Sequence, residues 1–217
     1  LPEFDPRIVA GFVTSRRRHG LLLEHEDVIL AGKQNARIFI PLCGKPHELQ
    51  WFVDLGHNVV GVDYDEEFVC SYFEENGIYM HETTCPILNC RVLQTQDRRL
   101  QFFVCDILEF KSECTGPVDV VWDRCGFTSM KKEQRARYAA VLKSLLAPDF
   151  SYALWSAVYD VSRPAHPLAP RSTEPVIKEH FGDVASKMDL LGTEVEHKAR
   201  FLNGGLPVTL TLWHLSP

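Results

Sequence analysis

The chain lacks several features, and each absence removes a class of protein. No apolar run reaches ten residues, far short of the ~20 that cross a bilayer, so no membrane association is expected. No basic-then-apolar leader opens the chain, which begins at Leu1 rather than Met, and a cytoplasmic location is the expectation. Net positive charge is missing too: 23 Lys+Arg against 29 Asp+Glu leave −6, the wrong sign for sequence-independent nucleic-acid binding. The seven cysteines, at 43, 70, 85, 90, 105, 114 and 125, form no CxxC pair, and no His follows at zinc-finger spacing. Reduced thiols without a metal are the expected state. Internal repeats and low-complexity tracts are absent.

What is present is globular. Apolar residues make up 45% of the chain and charged residues 24%, which excludes collagen, a coiled-coil rod and wholesale disorder. The 217 residues fit one α/β domain over 1–217, a size that buries roughly 70–75% of its unfolded surface without disulfide or metal staples. A monomer is expected. The first 30 residues are irregular, with a solvated charge run at Arg16-Arg17-Arg18 and one short helix from Leu21 to Leu30 ended by Gly32.

From residue 37, strand and helix signals alternate. Arg37–Leu42 and Asn58–Asp63 are apolar runs rich in β-branched and aromatic residues, as expected of strands buried on both faces. Between them Pro46 is predicted at a first helical position, with Leu49, Phe52 and Val53 facing the core and Gly56 as the stop. Asp65 is predicted to cap a helix carrying Phe68, Val69, Tyr72 and Phe73, ended by Gly77. Further strands are predicted at Leu100–Cys105, Val118–Trp122 and Tyr152–Val158, with a helix over 132–146. The proline-rich stretch 163–175 is predicted to be a stiff extended loop, suited by position to be a lid. A short helix at Val176–Phe181 and two closing strands follow, Leu206–Trp213 alternating like an antiparallel, partly exposed strand. The predicted fold is a Rossmann-like, doubly wound, mostly parallel sheet with an antiparallel strand near the C-terminus.

In such sheets ligands sit beyond the carboxyl ends of the strands, where strand order reverses. Leu42-Cys43-Gly44, Asp63, Asp106 and Asp123-Arg124 fall at those ends. Gly44 and Asp63 are nineteen residues apart: a turn glycine that lets a ligand approach, and an acid able to accept both hydroxyls of a ribose. The full G-x-G-x-x-G is missing, and its second and third glycines are those that make room for a pyrophosphate. A phosphate-free nucleoside such as S-adenosylmethionine fits better than NAD or FAD. The plainer alternative, that Asp63 only caps the next helix, is weakened because Asp65 already offers that cap. Arg124 beside Asp123 also reads as an ordinary surface ion pair. Cys43, without a His partner, reads as a packing residue, and Trp51 and Phe52 as core.

Arg37–Lys45 (RIFIPLCGK), Trp51-Phe52, Gly56–Asp63 (GHNVVGVD), Val121–Arg124 (VWDR) and His180-Phe181-Gly182 together resemble the thiopurine S-methyltransferase family, over about residues 19–217. The resemblance implies a class I enzyme moving a methyl group from S-adenosylmethionine to an aromatic or heterocyclic thiol, a small-molecule substrate. It implies cofactor contacts at Leu42 and Gly44 in the turn, at Asp63 on the ribose, at Asp106 and Ile107 on the adenine, and at Arg124. It places Arg124 at the cofactor and substrate end of the pocket, where an arginine would favour the thiolate electrostatically, the catalytic role expected of it. Phe12 and Val13 stand where the family has a substrate-side aromatic, and Arg200 where it has a second Arg near the substrate.

Two departures lie on the substrate side. Residues 1–18 contain no Trp, so the segment 1–36 reads as an atypical or truncated N-terminal lid. Leu168-Ala169-Pro170-Arg171 replaces the family's Gly-Pro-Pro-Phe string. The alternatives are a non-catalytic S-adenosylmethionine-binding relative, or methyl transfer to selenium, tellurium or another small acceptor.

Overall fold

The computed structural model describes residues 20–124, 126–159, 172–196 and 208–217. Phe12, Val13, Arg200, the Arg16-Arg17-Arg18 run and most of the proline-rich stretch lie outside the described residues.

The predicted strands and one further hairpin assemble into a nine-stranded sheet. In chain order they are β1 (Arg37–Pro41), β2 (Asn58–Asp63), β3 (His81–Cys85), β4 (Cys90–Gln94), β5 (Leu100–Val104), β6 (Val118–Arg124), β7 (Leu146–Tyr159), β8 (Lys187–Glu196) and β9 (Val208–Ser216). Their spatial order is β3-β4-β5-β2-β1-β6-β7-β9-β8. The five central strands, β5-β2-β1-β6-β7, run parallel. β9 lies antiparallel to β7 and to β8, which bears out the antiparallel ending.

Helices cover both faces, as parallel strands demand. On one face lie α1 (Gly20–Glu24), α2 (Glu26–Leu30), α3 (Glu48–Asp54) and α4 (Glu66–Glu75). Their Leu22, Ile29, Phe52 and Tyr72 pack with Ile38, Ile40, Phe102 and Trp122 of the sheet. On the other face α5 (Gly126–Ser129), α6 (Lys132–Leu145) and α7 (Glu174–Phe181) bring Phe127, Tyr138, Leu142 and Phe181 against Phe39, Val60 and Val121. Trp51 and Phe52 are buried, as expected. No helix among the described residues is long and apolar enough to cross a membrane.

Local signals explain the ends of elements. The Asp65 side chain accepts the Phe68 N–H at 3.1 Å and caps α4. Gly56 and Gly77 take positive φ just beyond α3 and α4, the position that favours glycine. Three expectations need correction. The stretch 21–30 is two short helices broken at His25, because the chain turns to lay α2 against β7, where the Ser151 hydroxyl donates to the Ile29 carbonyl at 2.6 Å. Pro46 sits in the turn ahead of α3, which begins at Glu48 after His47. The β3–β4 hairpin has no counterpart among the predicted elements. β3 is polar and mostly exposed, and in β4 the buried Val92, Leu93 and Gln94 are consecutive, so no alternating pattern announces it.

Candidate functional site

The strand order reverses between β1 and β6. From β1 the chain winds one way through β2 to β5; from β6 it winds the other way to β7. The β1–β6 ladder is short, with Ile38 opposite Val120 and Phe39 opposite Val121. Above it, Ile40 and Pro41 pair with β2, whereas Trp122, Asp123 and Arg124 pair with β7. The two strand tops therefore part, which opens the crevice where ligands of open α/β sheets bind.

One wall is the turn after β1. Leu42 adopts φ +47°, a conformation uncommon for a residue with a side chain, and Gly44 adopts φ +55°. Between them the Cys43 N–H donates to the Val62 carbonyl at 3.1 Å, holding the turn to β2. The Gly44 N–H donates to Oδ2 of Asp63 at 2.8 Å, and the Asp65 N–H donates to Oδ1 at 3.0 Å. Asp63 thus faces the Gly44 turn and is 6% exposed. Burial pushes its carboxyl above the usual value of 3.8, and the amides of Asp65 and Gly44 pull the other way. Each carboxylate oxygen accepts one backbone N–H and keeps a lone pair, a donor-seeking pair that fits the two hydroxyls of a ribose. Lys45 is turned away, its Nζ 2.8 Å from Glu75 of α4. The turn's own cation is thus spent on a helix, in keeping with a ligand lacking phosphate.

The other wall is the end of β6. Asp123 and Arg124 are not an ion pair with each other, because alternation along the strand sends them to opposite faces. Asp123 is fully buried and accepts hydrogen bonds from the hydroxyls of Tyr138 (2.9 Å) and Tyr152 (2.7 Å) and from the Phe127 N–H (3.2 Å). Burial pushes its carboxyl up to about 6 despite these donors. Its role is to fasten β6 to β7, α5 and α6. Arg124 instead reaches toward α3, with Nη1 3.8 Å from Oε2 of the fully buried Glu48. Its guanidinium carbon lies 5.8 Å from the ring centroid of Trp155, the residue opposite it on β7. Glu48 and Trp155 are the residues that sequence reasoning missed. The clue to Glu48 was its place four residues before Phe52, an acid on the apolar face of a helix.

Asp106 follows β5 and caps a 3₁₀ turn, Ile107–Glu109, by accepting the Leu108 N–H at 2.9 Å. Ile107 is fully buried among Phe39, Val60 and Phe103 in the core. Cys43 is buried, with its thiol pushed well above the ordinary range by burial, as suits a packing residue.

Known structures share this architecture. Burkholderia thailandensis 1,6-didemethyltoxoflavin-N1-methyltransferase, solved with S-adenosylhomocysteine, superposes with a TM-score of 0.59 at 15% identity, covering 98% of this chain and 88% of that one. TehB from Haemophilus influenzae gives 0.63 at 12% identity, covering 93% and 63%. Magnesium protoporphyrin IX methyltransferase from Synechocystis, solved with bound SAM, gives 0.57 at 16% identity, covering 91% and 78%. The fold is therefore that of the α/β methyltransferases.

The sequence narrows this further. The thiopurine S-methyltransferase family model matches residues 11–203, and the chain belongs to that family. It is 35% identical over 150 residues to thiopurine S-methyltransferase of Oryctolagus cuniculus, a match covering 69% of this chain and 61% of that protein. To the Bos taurus protein of the same name it is 32% identical over 187 residues, covering 83% and 75%.

Proposed function

We propose that this protein methylates the sulfur of aromatic or heterocyclic thiols, thiopurines among them, with S-adenosylmethionine as donor. The single observation that carries the reading is the buried Asp63 carboxylate aimed at the Gly44 turn, beside the point where strand order reverses. When bound, S-adenosylmethionine supplies an electrophilic methyl on a sulfonium. Asp63 would hold the ribose hydroxyls, Leu42 and Gly44 would line the approach from the turn, and Asp106 would meet the adenine, with the fully buried Ile107 supporting that turn from the core. Phe12, Val13 and Arg200 are assigned to the acceptor's side.

Arg124 is the group we assign to the reacting sulfur. The positive field of its guanidinium favours a thiolate over a thiol. The buried Glu48 and the Trp155 ring restrict where that charge can sit. Sulfur attack on a methyl needs alignment and a dry site more than covalent help, so positioning and charge are what the protein contributes.

Calorimetry with S-adenosylhomocysteine, followed by a 6-mercaptopurine methylation assay, tests the reading. Saturable binding and S-methylated product are expected. Tight binding without transfer to any thiol would mark a non-catalytic relative, and absence of binding would sink the proposal.

A further inference from the structure

Four of the seven cysteines, scattered in sequence, meet at one place in the fold. The β3–β4 hairpin sets Cys85 directly opposite Cys90. β4 pairs with β5, with Arg91 opposite Val104, so the same register carried one step further puts Cys90 opposite Cys105. A second 3₁₀ turn, Ser112–Cys114, then brings the Cys114 sulfur to 3.7 Å from that of Cys85. Cys105 adjoins the crevice, its N–H donating to the Asp63 carbonyl at 3.0 Å, whereas Cys85 and Cys114 are not among the residues described there.

We propose that Cys85 and Cys114 form a peroxide-oxidisable dithiol that closes to an intramolecular disulfide. Their sulfurs already touch, and closing the remaining gap to a bond of about 2.05 Å asks for side-chain rotation and a small shift of the 3₁₀ turn. The turn after Cys85 supplies the polarity. Burial disfavours an anion on Cys85, but the N–H groups of Leu88 and Ile87 and the thiols of Cys114 and Cys90 point at its sulfur and bring its pKa below the ordinary thiol value. Burial and the proximity of Cys85 hold the Cys114 thiol above it. Cys85 is thus the thiolate that reacts first and Cys114 the thiol that resolves.

The chemistry balances with hydrogen peroxide as the oxidant. The Cys85 thiolate attacks one peroxide oxygen, the O–O bond breaks, and hydroxide leaves, giving a sulfenic acid on Cys85. The Cys114 sulfur attacks the Cys85 sulfur and displaces hydroxide, which takes up the Cys114 proton as water. Two thiols lose two electrons and two protons, and one peroxide becomes two waters. Cys85 is buried, so a small oxidant is favoured over a bulky disulfide such as oxidised glutathione.

The inference is independent of the methyl-transfer reading, because its readout is thiol chemistry. The reduced full chain is treated with hydrogen peroxide, alkylated, and mapped by non-reducing peptide mass spectrometry. The expected result is a cross-link between the Cys85 and Cys114 peptides, two hydrogens lighter than their sum, formed at least about tenfold faster than Cys43 is oxidised and reversed by dithiothreitol. Cys114→Ser should abolish the cross-link and leave a dimedone-trappable sulfenic acid on Cys85, whereas Cys105→Ser should leave the cross-link intact. A Cys85–Cys90 link instead, or oxidation of the cysteines at one common rate, would overturn the proposal. Mapping of the unmutated chain decides the matter even if a serine variant fails to fold.

Discussion

At Arg124 a charge-removing substitution mixes two effects. Taking the guanidinium away leaves Glu48 fully buried beside no cation from β6, and breaking a buried pair from one side costs about 3–5 kcal/mol. Arg124→Lys keeps the charge and loses the planar fork. We expect it to fold and to lower turnover of a thiol substrate by about tenfold or more, read as kcat with the melting temperature alongside. Asp63→Ala should weaken S-adenosylhomocysteine binding by ~1.5–3 kcal/mol, the loss of hydrogen bonds to a charged acceptor. Calorimetry checks it, and unchanged affinity would take Asp63 off the site. Asp123 belongs to stability instead. Its folded pKa of about 6 exceeds the ordinary 3.8, so the native state holds the proton more tightly than the unfolded chain does. The stability that Asp123 contributes is complete below about pH 4 and is lost as pH rises through about 6. At about 1.36 kcal/mol per pH unit the difference is about 3 kcal/mol. Urea unfolding between pH 3.5 and 7 should show that loss in the parent and not in Asp123→Asn.

Elements were legible where periodicity and burial agreed. β1, β2 and β5 are short apolar runs buried on both faces, and the spacing of Tyr138 and Leu142 announced α6. The β3–β4 hairpin was not legible, because β3 carries the polar His81, Glu82, Thr83 and Thr84 and the buried Val92 and Leu93 of β4 are adjacent rather than alternating. Of the site, Gly44 and Asp63 could be read from spacing and fold position. The pairing of Arg124 with Glu48 and Trp155 could not, since it depends on how α3 lies over the sheet and on the β6–β7 register. Gly61 in mid-strand has a packing reason that only the assembled sheet discloses. A Cβ there would come 2.9 Å from the Cys43 sulfur and 3.1 Å from the Phe102 ring. Gly61→Ala should therefore destabilise the protein by about 1–3 kcal/mol, measured by chemical denaturation. The cost falls on the strand that carries Asp63.

Across the whole molecule, the sheet is protected at its centre and open at its margins. β1, β2, β6 and β7 are hydrogen-bonded on both sides and covered by helices on both faces, whereas β3 and β8 each pair on one side among the described residues. Native-state hydrogen exchange should accordingly be slowest in β1, β2 and β6 and fastest in β3 and β8. Equal protection across the sheet would contradict this ordering. Surface ion pairs add little to the total. Arg91 bridges Glu66 and Glu82 in the open, and such pairs contribute about 0–1 kcal/mol.

The bond from Ser151 to the Ile29 carbonyl joins residues 122 positions apart. During translation, α2 leaves the ribosome long before the strand that seats it has been made. A nascent chain interrupted anywhere before β7 carries Leu22, Ile29 and Leu30 without their final neighbours, so the early helices must wait, exposed to chaperones and proteases, until the second half of the sheet arrives.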